Sequence, residues 1–168
     1  KINLEESGCY VLPTYTKESE EVLAVKDALN KCLEAKITYS LDSIVVTVDK
    51  TQIHEWISAD KDMNLVIDES AVRAFTDSLG NKYNTKPRAQ YITTPTGKVA
   101  NIASSAKGRI VGSAAECEQL IGEIKEGKVV TRKPVIAQEA TPEGQNSWGT
   151  TYIEVDLSTQ HMWYISNG

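Results

Sequence analysis

The chain has 168 residues, 40% of them apolar and 24% charged, with a formal net charge of −5. That balance fits one water-soluble domain, or a domain with part of another. A net acidic surface repels phosphates, so nucleic acid and anionic membrane are poor partners. The basic stretches Lys107-Gly108-Arg109 and Thr131-Arg132-Lys133 are too short to reverse this locally. No apolar run approaches the roughly 20 residues of a membrane-spanning helix. The first residue is Lys1 and no leader follows it, so a signal or anchor is expected upstream. Three widely spaced cysteines, Cys9, Cys32 and Cys117, make neither a metal pattern nor a disulfide framework.

In chain order, Val22, Val25, Leu29, Cys32 and Leu33 recur at helical spacing and predict an amphipathic helix over 18–35. Two short strand-like runs follow, at 37–40 and 43–49. Asp49, with Gln52 three residues on, predicts a capped second helix that buries Ile53, Trp56 and Ile57; His54 beside them reads as an exposed polar residue. The run 63–68 is a strand ending at the N-cap Asp68. It leads to a third helix with Val72, Phe75, Leu79 and Tyr83 on one face, ended by Pro87.

Residues 88–94 and 98–103 flank a Pro95-Thr96-Gly97 turn and predict a hairpin. Ser113 and Glu116 form a second capping-box pattern, before a fourth helix that buries Cys117, Leu120, Ile121 and Ile124 and stops at Gly127. Cys32 and Cys117, both on apolar helix faces, are expected as core thiols. A strand over 128–138 is interrupted by Pro134, which confines it to an edge or a bulge. The stretch 140–149, rich in Pro, Gly and polar residues, reads as a linker. The expected class is α+β: one mixed domain of about four helices packed on short, mainly antiparallel strands, followed by a C-terminal β-hairpin.

After that linker, 150–165 reads as two strands around a turn at 158–160. Ile153, Val155 and Leu157 share one face of the first strand, and Tyr152, Glu154 and Asp156 share the other. A lone hairpin cannot offset its ordering entropy, which costs about 1–2 kcal/mol per residue, so it is expected to join a sheet of its own domain or of another copy. Glu154 and Asp156 read as a solvated face, and Asn167-Gly168 as a further tight turn.

The terminal stretch YIEVDLSTQHMWYISNG closely resembles the first two strands of the L,D-transpeptidase catalytic domain. Residues 1–149 resemble, more diffusely, the peptidoglycan-binding domain that precedes it in Gram-positive wall enzymes. That resemblance rests on LNKCLEAKITYSL, KYNTKPRAQYITTPTGKVANI and the GTTYIEVD junction. Lys107–Val111 departs from it, because relatives carry a Tyr-Gly-Trp-like segment there. The resemblance implies a cysteine enzyme that attacks the L-to-D amide of a tetrapeptide stem, releases D-alanine and makes 3→3 cross-links. Its Ser-His-Gly-Cys nucleophile motif does not occur in this sequence, so catalysis is expected outside these residues. On this reading 150–168 is the first hairpin of a truncated catalytic domain.

The expected role is therefore a non-catalytic, wall-facing accessory region, extracellular and without a cofactor. A pure spacer or extracellular interaction module is the alternative. Arg88, Tyr91 and Thr93 are the candidate contacts to glycan or stem peptide, as a polar and aromatic group on one hairpin. A hairpin-mediated association of copies is the other partner expectation.

Overall fold

The computed structural model describes residues 8, 13–143, 145 and 148–166, without the side chain at 104. Cys9 and the turn expected at Asn167-Gly168 lie outside the described residues. The chain divides into two compact units. The first holds 45–72 and 118–132 together with the chain up to Tyr39; the second holds 40–44, 73–117 and the chain from Lys133. Four helices and eleven short strands are described, in the α+β class expected.

In the first unit, α1 (Glu20–Glu34) begins with Glu20 and Glu21 and carries Lys31 in its last turn, charges that suit the helix dipole. Its Val25 and Cys32 are buried. β1 (Lys36–Leu41) lies between β2 (Ile44–Val48) and β8 (Val129–Arg132), with β1 and β8 parallel from Lys36↔Val129 to Tyr39↔Arg132. Ile37 and Tyr39 on β1 are fully buried, as are Val48, Ile53, Leu120 and Ile124. Each aliphatic side chain so buried contributes roughly 1.5–3 kcal/mol relative to exposure.

The second helix is shorter than its sequence suggests. Asp49 caps it as expected, accepting from the Thr51 amide at 2.9 Å, but α2 spans only Lys50–Ile53. Gln52 donates to Glu55 rather than back to the cap, so the reciprocal half of the capping box is not made. The Trp56 carbonyl accepts the Asp68 amide at 2.7 Å, which closes the turn onto a strand. Ile57 accordingly opens β3 (Ile57–Ala59), antiparallel to β4 (Leu65–Ile67). Trp56 itself is in the core, and His54 is exposed.

α3 (Glu69–Tyr83) starts at Asp68, whose carboxylate accepts the Ser70 and Ala71 amides, both at 3.0 Å. The second unit takes up its later turns and buries Thr76, Leu79 and Tyr83. β5 (Arg88–Thr93) and β6 (Val99–Ala106) form the predicted hairpin, with a register shift between Arg88 and Gln90. β7 (Ile110–Val111) pairs with β9 (Ile136–Gln138). Pro134 thus separates β8 and β9 into different sheets, where the sequence suggested one interrupted strand.

α4 (Ser113–Glu126) corrects the second capping box. Ser113 is already helical, and its carbonyl accepts the Thr76 hydroxyl at 3.1 Å. The Glu116 side chain is buried and accepts the Val135 amide at 2.6 Å, so it anchors the chain beyond Pro134. Gly127 ends α4 at φ +68°.

β10 (Tyr152–Asp156) and β11 (His161–Ile165) form a two-stranded antiparallel sheet, and no third described strand joins it. Its faces are also reversed from expectation. Ile153 is 60% exposed and Leu157 85% exposed, while Tyr152, Glu154 and Asp156 are half-buried. The register explains this. Tyr152 stands opposite Ile165 and Glu154 opposite Trp163, so this face carries the two large rings and the greater contact area.

Candidate functional site

Arg88 and Tyr91 line the same cleft, and the register of β5 shifts between Arg88 and Gln90. The cleft has a volume of about 410 Å³ and is also lined by Gln90, Glu143, Gln145 and Trp148. Its size lies within the range of small-molecule sites. Arg88 Nη2 donates to the carbonyls of Thr141 and Pro142, both at 2.9 Å. Gln90 Nε2 donates to the Gln145 carbonyl, and Gln90 Oε1 lies 3.2 Å from the Ser105 hydroxyl. These bonds tie Thr141, Pro142 and Gln145 to the hairpin.

Tyr91 is 69% exposed and stands opposite Asn101; Thr93, also exposed, stands opposite Val99. Arg88 and Tyr91 line the cleft, and Thr93 sits further along the outer face of the hairpin. The sequence did not single out Trp148, which completes the aromatic side of the cleft and meets Tyr152 edge-on at 6.3 Å between centroids. Its place in a stretch read as linker gave no signal.

The segment Lys107–Val111 is a structural clamp. The Arg109 amide donates to Thr85 Oγ1 at 2.7 Å, and its guanidinium reaches the Tyr83 carbonyl at 2.9 Å and Asp42 at 2.7 Å. Gln138 donates to the Gly108 carbonyl at 2.6 Å, and Lys107 and Thr141 exchange bonds of 2.8 and 3.0 Å. A second cleft of about 410 Å³ opens beside this clamp, lined by Asn81, Asn84, Lys86 and Gln138 among others.

A thiol enzyme needs a thiolate beside an imidazole. Cys32 and Cys117 are instead buried thiols, and burial pushes Cys32 above its ordinary pKa. His54 Nδ1 lies 3.2 Å from the Lys50 carbonyl, and His161 Nδ1 lies 2.8 Å from the Thr159 carbonyl. His161 also stacks on Trp163 at 5.8 Å. Among the described residues no group of three His, Cys, Asp or Glu side chains gathers as a metal site.

The family described as "Putative peptidoglycan binding domain" matches residues 15–132. The chain belongs to that family. Two solved structures are similar over nearly all of it. The Ldtfm–avibactam carbamoyl enzyme is 26% identical, with a TM-score of 0.54, over 88% of this chain and 57% of its own. A cysteine-to-serine mutant of the Enterococcus faecium L,D-transpeptidase is 27% identical, with a TM-score of 0.52, over 89% of this chain and 58% of its own. This chain therefore spans less than two thirds of the length of either structure. A comparison with curated protein sequences gives no match. The chain is thus a peptidoglycan-binding-family region related to L,D-transpeptidases, and it lacks the Ser-His-Gly-Cys motif.

Proposed function

We propose that this chain is the non-catalytic accessory region of an extracellular cell-wall L,D-transpeptidase, which holds the cross-linking enzyme at its substrate through weak contact with peptidoglycan. The observation that carries this reading is the family match over 15–132, extended by a likeness to two transpeptidases over 88–89% of the chain. On this reading residues 1–149 form the accessory region and 150–168 open the catalytic domain. The cysteine that makes 3→3 cross-links lies outside these residues. Arg88, Tyr91 and Thr93 contact the polymer, with Trp148 as a further wall of the same surface.

Two observations favour a second reading, a spacer without affinity for the wall. The net charge of −5 gives no attraction to anionic wall polymers, and Arg88 already serves two backbone carbonyls. Co-sedimentation with purified sacculi separates the two. Retention that falls on Tyr91→Ala supports contact, whereas failure to pellet leaves the spacer. The chain itself is expected to exchange no D-amino acid into tetrapeptide stems. Exchange by these residues alone would refute the assignment of catalysis elsewhere.

A further inference from the structure

The cleft of about 410 Å³ beside the Lys107–Val111 clamp lies within the second unit and shares no lining residue with the Arg88–Tyr91 cleft. Two carboxamides line it, each with one end bound to the backbone. Asn84 Oδ1 accepts the Val111 amide at 2.7 Å, which leaves Nδ2 as its open end. Gln138 Nε2 donates to the Gly108 carbonyl at 2.6 Å, which leaves Oε1. Neither open end has a partner among the described residues. Gly80 makes room for the first, because a Cβ there would stand 3.0 Å from Asn84 Nδ2. One donor and one acceptor are thus fixed in advance, which lowers the ordering cost of binding. Among the described residues the charged side chains of the lining are Lys86 and Arg109, with no acidic one. Asp42 already engages Arg109 at 2.7 Å, whereas Lys86 is exposed and pairs with no described carboxylate. Pro87 and the exposed Ile110 add an apolar wall.

We propose that this cleft binds the carboxy-terminal end of a peptide, with its last amide at Asn84 and Gln138 and its carboxylate on Lys86. A secondary amide carries one acceptor and one donor, the complement of the two open ends. Its carbonyl accepts from Asn84 Nδ2, and its N–H donates to Gln138 Oε1. The terminal carboxylate meets the Lys86 ammonium in a charge-assisted bond, and a small side chain rests on Pro87 and Ile110. A cationic ligand would be repelled by Lys86. An acetamido sugar would satisfy the amide pair but leave that charge unanswered. The inference does not rest on retention by sacculi, which concerns the other cleft.

The test titrates isotope-labelled chain with Nα-acetyl-alanyl-alanine and follows the side-chain amides of Asn84 and Gln138 and the Gly108 amide by NMR. The peptide's C-terminal methylamide, acetate and N-acetylglucosamine serve as controls. Saturable shifts are expected for the free acid, with affinity on the order of 1 mM, and weaker binding for all three controls. Asn84→Asp keeps the acceptor for Val111 and removes only the open donor, so it should weaken binding by about tenfold or more. Lys86→Met should weaken it by about two- to fivefold, as expected of an exposed charge pair, and Lys86→Arg should restore it. Absence of saturation, or binding of any control as tight as that of the free acid, would overturn the proposal. So would unchanged affinity in Asn84→Asp. If that variant fails to fold, Lys86→Met alters only an exposed side chain, and unchanged affinity there would overturn the proposal equally. Failure on any of these counts leaves the sacculus result standing, because that is read from a different cleft.

Discussion

Arg132 grips Glu123 side-on, with Nε 3.0 and 3.1 Å from the two carboxylate oxygens and Nη2 2.9 Å from Oε2. The other side of the guanidinium lies over the Tyr39 ring, 5.0 Å from its centroid. Gln119 adds a donor to Glu123 at 3.1 Å. The side chains are 14% and 5% exposed, so the pair is shielded from water. Removing one partner then strands a buried charge, which typically costs about 3–5 kcal/mol. Arg132→Met should lower stability by that order in urea denaturation. Glu123→Leu with Arg132→Met should recover most of the loss, because two apolar groups leave no charge behind. A double variant as unstable as the single one would show that the packing on Tyr39, and not the charge, dominates.

Two glycines test the close approaches of the fold in opposite directions. A Cβ on Gly108 would stand 1.9 Å from the Thr85 carbonyl oxygen, a backbone atom with no room to retreat. Gly108→Ala should lower stability by about 1–3 kcal/mol or more, as overpacking does. Gly122 lies inside α4 with nothing within 4 Å of the added methyl. There Gly122→Ala should raise stability by about 0.5–1 kcal/mol, through helix propensity and a less flexible unfolded chain. Thermal melts of the two variants should shift to opposite sides of the unsubstituted chain.

Most of this fold could be read from periodicity, and the misreadings share a cause. Val25, Cys32, Val72, Leu79, Leu120 and Ile124 were assigned to buried faces by helical spacing alone, and all are buried. The Thr94–Gly97 turn was equally local, with Gly97 at φ +81°. Partners distant in sequence decided the rest. Glu116 accepts the amide of Val135, nineteen residues on. The second helix stopped because the Trp56 carbonyl serves Asp68. The β10–β11 faces were misjudged from one strand, when the opposing Trp163 and Ile165 set the half-buried side. Of the candidate site, Arg88 and Tyr91 line one cleft, beside a register shift that alternation does not foresee. Trp148, in a stretch read as linker, had no local signature.

Acid should loosen the turn between β10 and β11 before it unfolds the units. The Ser158 hydroxyl, with the Ser158 and Thr159 amides, holds Asp156 down to a pKa of about 2. The cap carboxylates Asp49 and Asp68 are lowered likewise, first by the hydroxyls of Thr51 and Ser70. Asp60 is lowered by the Asn64 amide. A carboxylate whose folded pKa is depressed lends stability that is complete above its unfolded value of about 3.9. That stability is lost as pH falls through the folded value, because the unfolded chain binds more protons in between. Amide exchange at Ser158 and Thr159 should therefore quicken, beyond its intrinsic pH dependence, between about pH 4 and pH 2. Asp156→Asn should abolish that extra pH dependence.

The buried thiols report on opening of the two units. Cys32, in the first, is fully buried and its pKa is raised by that burial; Cys117, in the second, is 8% exposed. Alkylation needs both a thiolate and access, so it must await opening of the surrounding packing. At about pH 8, iodoacetamide should label Cys32 in the native chain at least about a thousandfold more slowly than in denaturant, given the stability of ordinary domains. Peptide mapping by mass spectrometry separates the two sites. Equal, slow labelling of Cys32 and Cys117 would mean that the units open together, and faster labelling at one would identify the unit that opens first. Native labelling of Cys32 at the denatured rate would contradict its place in the core.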